Sequence, residues 1–124
     1  MGWSEWKSFG SDFTNITEVG SILYNHTDTS YKELTYSPTY SGQMLIQGVF
    51  HAGGGNMIYK LIDISGCEVI KELTQSTPTW NGNNPIESRS WFCEVTQGVP
   101  ITIKVTPPDP NYGRAYSDIK FYSI

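Results

Sequence analysis

Trp80-Asn81-Gly82-Asn83-Asn84 is the stretch of this 124-residue sequence best equipped for recognition chemistry. An indole face stacks on the apolar face of a sugar ring, and asparagine amides both donate and accept hydrogen bonds to hydroxyls. Tyr112 and Arg114 extend such a set from a second polar stretch, and Asn56 and His51 border it from a third. The same residues also have a purely structural reading, with Trp80 folded over the core and the asparagines supplying turn conformations. Trp91 stands beside Phe92 inside a strand-like run and is expected in the core.

No set of residues announces a reaction. No serine sits in a Gly-x-Ser-x-Gly elbow, no His-Glu-x-x-His occurs, and neither cysteine has a histidine near it in sequence. The chain is therefore expected not to be an enzyme and to need no cofactor, although carboxylates paired from distant strands leave no local signature. Asp109-Pro110-Asn111-Tyr112-Gly113 lacks the spaced carboxylates of a calcium loop. Gly53-Gly54-Gly55 has no Lys-Ser/Thr after it to cradle phosphate, so a hairpin turn accounts for it. His26 and His51 are too far apart in sequence to suggest zinc. Cys67 and Cys93, each followed by Glu-Val, permit one disulfide, but without a surrounding cystine framework buried thiols are expected.

Composition narrows the partners. Charged residues make up only 16% of the chain, against about 25% in ordinary soluble domains. Aromatics reach 14%, and Tyr, Trp, Ser, Asn and Gly take the places of Lys and Glu, which suits half-buried strands and recognition loops. A net charge of -4 with 8 scattered basic residues excludes a nucleic-acid backbone as partner. No apolar run approaches the roughly 18 residues of a membrane span. The opening MGWSEWKSFG carries a charge pair where a signal peptide has its apolar core, so either the chain is cytosolic when made or a leader and neighbouring domains lie outside it.

The elements that must position these residues are strands. Ser41 to Leu73 organises the chain: Gln43–His51, Met57–Ile64 and Cys67–Leu73 are apolar runs of strand length, separated by Ala52–Asn56 and by Ser65-Gly66, which predicts an antiparallel meander. Before it, Asp12–Thr17 and Gly20–Tyr24 read as short strands around a Glu18-Val19-Gly20 turn, Asn25–Ser30 as a polar loop and Tyr31–Tyr36 as a strand. After it, Thr74–Glu87 reads as irregular, Ser88–Thr96 and Ile101–Thr106 as strands, Pro107–Gly113 as a loop and Arg114–Ile124 as the closing strand. About eight or nine short strands and almost no helix predict an all-β, antiparallel, jelly-roll-like β-sandwich. Residues 1–11 form a lead-in and 12–124 a single domain. Because antiparallel strands alternate in direction, Asn25–Ser30, Ala52–Asn56, Thr74–Glu87 and Pro107–Gly113 should share one end, with Ser37–Ser41, Ser65-Gly66 and Gln97–Pro100 at the other.

Trp3-Ser4-Glu5-Trp6 near the start resembles the Trp-Ser-x-Trp segments of tail-fibre and receptor-binding proteins of bacteriophages and phage-like particles, carried by Trp3, Ser4 and Trp6. There such segments precede β-rich domains that are commonly trimers binding host surface glycans. The strand pattern of the remainder is similar to that of jelly-roll carbohydrate-binding modules. The resemblance implies a recognition module on a virion or phage-like particle, a homotrimer whose partner is carbohydrate or another host cell-surface receptor. It assigns no ligand residue. A carbohydrate-binding module of a secreted enzyme, expected to be monomeric, and a structural oligomerisation domain of a viral particle are the alternatives. Apolar residues on both faces of Gln43–His51 (Met44, Ile46 and Phe50 against Leu45 and Val49) predict burial on two sides.

Overall fold

Alternation of apolar and polar residues dictates strands throughout the computed structural model, which describes residues 16–51, 59–77, 86–108 and 115–124. Among these residues there are eight strands and no helix: β1 (Thr17–His26), β2 (Lys32–Tyr36), β3 (Gly42–His51), β4 (Leu61–Ser65), β5 (Glu68–Thr77), β6 (Ile86–Val95), β7 (Ile101–Thr106) and β8 (Ala115–Ser123). They pair antiparallel into a five-stranded sheet, β1-β8-β3-β6-β5, and a three-stranded sheet, β2-β7-β4. The chain is an all-β sandwich with jelly-roll-like strand order, in which β5 joins the larger sheet by pairing with β6.

The organising stretch is organised differently from a meander. β3 is the centre of the large sheet, paired with β8 on one side and β6 on the other. β4 pairs instead with β7 in the opposite sheet, and β5 with β6. Apolar runs fix the existence of strands, whereas pairing depends on which sheet each strand must close. β3 and β4 therefore lie in different sheets and do not pair, and residues 66–67 lead from β4 back to β5 in the large sheet. β1 is one continuous strand whose register slips between Glu18 and Gly20, so the expected turn is a β-bulge. At this bulge the Tyr36 hydroxyl donates to the Val19 carbonyl at 3.2 Å. β5 and β6 run into the segment expected to be irregular, as far as Thr77 and back from Ile86.

The core fills the space between the sheets. Met44, Ile46 and Phe50 of β3 face Ile101, Ile103 and Val105 of β7, with Trp91, Cys93, Ile119 and Phe121 completing the inner face of the large sheet. Tyr36 stacks on Phe121 across the sandwich at 4.3 Å. On β3 the opposite face, Leu45 and Val49, is only half-buried.

Register fixes the two ends. His26 pairs with Ala115, His51 with both Tyr116 and Ile86, and Thr77 with Ile86. β1, β3 and β5 therefore finish where β6 and β8 begin. The other end is tied shut. There the Gly98 amide donates to the Pro38 carbonyl at 3.0 Å and the Gln97 amide to Ser41 Oγ at 2.9 Å.

Candidate functional site

The end where β1, β3 and β5 finish carries a row of outward side chains built by strand alternation. Phe50, His26, Ser117 and Glu87 are buried on the inner face, so their neighbours His51, Asn25, Tyr116 and Ile86 stand on the outer face. Pairing sets them side by side across four strands in the order Asn25, Tyr116, His51, Ile86. Asn25 is exposed and the other three are half-buried. Neighbouring strands lie about 4.8 Å apart, so the row spans roughly 14 Å. It offers one phenol ring face, one imidazole and one amide, a combination able to pack against and hydrogen-bond a hydroxylated ligand.

Of the residues the sequence nominates, His51 is in this row. Trp80, Asn81, Asn83, Asn84, Tyr112, Arg114 and Asn56 lie outside the described residues. Sequence reasoning missed Tyr116 and Asn25. The available signal was the alternation in β8, where Ala115, Ser117, Ile119 and Phe121 point inward and Tyr116 points out.

Beneath the row lies a buried polar chain. His26 Nε2 is 2.8 Å from Ser117 Oγ, and the Tyr59 hydroxyl is 3.2 Å from the same oxygen. Tyr24 and Tyr59 pack edge-on against the His26 ring at 4.7 and 5.6 Å. Burial pushes the Tyr59 hydroxyl up to about 12, partly offset by its hydrogen bond to Ser117, so it stays protonated. Among the described residues His26 Nδ1 is buried without a partner. Which of His26 Nε2 and Ser117 Oγ donates to the other depends on the tautomer of His26. Ser117 is fully buried. The three side chains form a hydrogen-bond chain that links β1 to β8.

Burial also lowers the pKa of His26, reinforced by the Lys32 ammonium and opposed by Asp28. The unfolded chain takes up a proton at this histidine near its ordinary value of about 6.5, while the folded chain resists it. The stabilising contribution is complete above that pH and is lost as pH falls toward the depressed folded value. Thermal midpoints of the wild type should therefore drop on going from about pH 7 to about pH 5, and those of His26→Gln should drop less. Parallel slopes for the two proteins would contradict the assignment.

Two further polar features are structural. Arg89 Nη2 holds the buried Glu87 carboxylate at 3.0 Å, and Nη1 reaches Glu72 at 3.1 Å and the Ile62 carbonyl at 3.3 Å. This guanidinium fastens the β5 edge to β6 and bridges to β4, leaving the buried carboxylate paired. Asp28 accepts from the Ser30 amide at 2.9 Å and lies 3.9 Å from Lys32, which shapes residues 27–31; the Ser30 hydrogen bonds hold its carboxyl below the usual range.

Among the described residues no group of three or more His, Cys, Asp or Glu is arranged to hold a metal ion, and no helix is long and apolar enough to cross a membrane. No protein-family model, curated protein or solved structure matches the chain.

Proposed function

We propose that the chain is a non-catalytic recognition module that binds cell-surface carbohydrate, as part of a phage or prophage tail-fibre-like protein acting as a homotrimer on the particle. The observation that carries the reading is the outward row of Asn25, Tyr116 and His51 at the end where β1 and β3 finish and β8 begins. Rigid sandwiches commonly display binding residues on loops gathered at one end. Weak stacking at each site is multiplied by avidity when three copies engage one surface.

A second reading, a structural domain that joins subunits of a viral particle, is favoured by the edges of the large sheet. Leu23 on β1 is 74% exposed, and Ile70 and Leu73 on β5 are 51% and 60% exposed, an apolar display that often marks a contact surface.

Light scattering on a sizing column, with and without a mixture of bacterial surface polysaccharides, separates the readings. The expected result is a mass near three times 13.9 kDa that rises with polysaccharide. Tyr116→Ala and Trp80→Ala should each weaken binding about tenfold, the equivalent of losing one ring-stacking contact. A trimer indifferent to every polysaccharide would transfer the reading to a structural domain. A monomer that binds glycan would indicate a carbohydrate-binding module of a secreted enzyme.

A further inference from the structure

The two cysteines meet at the closed end of the sandwich, away from the proposed glycan site. Both are thiols. The tripeptides Cys67-Glu68-Val69 and Cys93-Glu94-Val95 run antiparallel against each other, with Glu68 opposite Glu94 and Val69 opposite Cys93. Cys67, one step before β5, thus stands diagonally across the ladder from Cys93 and packs against the core that contains it. Cys93 is fully buried, its Sγ 3.7 Å from the Trp91 carbonyl. Cys67 is half-buried and lines an open cleft of about 340 Å³ with Ser41, Gly42, Glu68 and Glu94.

The two thiols stand on the inner side of neighbouring chain segments, and they are unequal in exposure. Hydrogen bonding to Cys93 pulls the Cys67 thiol below its ordinary range, whereas the same bond and burial push Cys93 up. One sulfur of the pair is accessible and more readily ionised, and the other waits behind it. That division is the one found between an attacking and a resolving cysteine.

We propose that Cys67 and Cys93 form a reversible disulfide site that takes a small disulfide oxidant of the glutathione class through the cleft. The Cys67 thiolate attacks one sulfur of oxidised glutathione, breaking its S–S bond and forming a mixed disulfide. The first glutathione leaves as a thiolate and is protonated. Cys93 then attacks Cys67 Sγ while its proton passes to the departing second glutathione thiolate, forming the Cys67–Cys93 bond. The two protein thiols give up two electrons and two protons, and one oxidised glutathione becomes two reduced ones. The closed ring encloses β5, residues 78–85 and β6 as far as Phe92, so oxidation anchors the start of the edge strand to β6 covalently.

The test is to incubate the folded full chain with oxidised glutathione and follow it by intact mass, non-reducing peptide mapping and thermal midpoint. The expected product has lost two hydrogens, contains a Cys67–Cys93 peptide and melts several degrees higher, reversibly on reduction. Cys93→Ser should stop at the mixed disulfide on Cys67. Should that variant fail to fold, wild-type alkylation by iodoacetamide decides, with Cys67 expected to react at least about tenfold faster than Cys93. A persistent mixed disulfide on the wild type, equal alkylation of both thiols, or oxidation only after unfolding in urea would each overturn the proposal.

Discussion

Trp91→Ala is expected to destabilise the domain by about 4 kcal/mol and to lower its thermal midpoint by roughly 15 °C. Trp91 is the largest of the fully buried side chains, at 1% exposure. It lies on β6 with Ile46 of β3 opposite on one side and Glu72 of β5 on the other, so both flanks are fixed by ladder hydrogen bonds. Beside it, Gly48 leaves the room that the rings of Trp91 and Phe50 occupy; a Cβ at Gly48 would come within 3.5 Å of Trp91 Cζ3. Removing the indole leaves a cavity that neither flank can collapse into, which is the condition for the upper part of the range seen for large-to-small changes. Phe92→Ala on the opposite face of the same strand removes a half-buried ring and should cost no more than about half as much. Urea denaturation of both variants checks this. Equal losses would mean that the inner and outer faces of β6 are not distinguished energetically as their burial implies.

The contrast between these neighbours was legible in the sequence, because strand identity and facing follow from local alternation. Ile101–Thr106 came out with the bounds expected of it, since Ile, Ile and Val alternate with Thr, Lys and Thr between two prolines. Other features depend on distant partners. β4 could not be assigned to the small sheet from its own residues, because its place beside β7 is set by pairing Leu61–Ser65 with residues some forty positions later in the chain. The β1 bulge looked like a turn because Gly20 and its neighbours carry the same turn chemistry in either setting. The site divides in the same way. His51 was visible as a polar residue at the end of an apolar strand. Tyr116 and Asn25 were not, since each is an ordinary outward position until register aligns them with His51. His26 and Ser117, 91 residues apart, were the least legible; His26 lay in what read as a loop.

Gly66→Ala is expected to cost about 3 kcal/mol or more, the second large effect, and it bears on how the two sheets are held in place. Gly66 is the first of the two residues linking β4 in the small sheet to β5 in the large one, and its φ is +87°. Any side chain there pays the strain of left-handed backbone, and a Cβ would run into the carbonyl oxygen of Pro100. That oxygen belongs to main chain leading directly into β7, whose Ile101 and Ile103 are fully buried, so it has nowhere to retreat. Gly98 supplies the control. Its φ is +79°, but nothing lies within 4 Å of a Cβ added to it, so Gly98→Ala should carry only the conformational strain, about 1 kcal/mol. The difference between the two denaturation midpoints, about 2 kcal/mol once converted, isolates the clash with Pro100 from the shared backbone strain. If the two variants proved equally stable, the link between the sheets would have to shift at little cost. β4 and β5 would then be positioned by their ladders with β7 and β6 alone, not by close contact at the closed end.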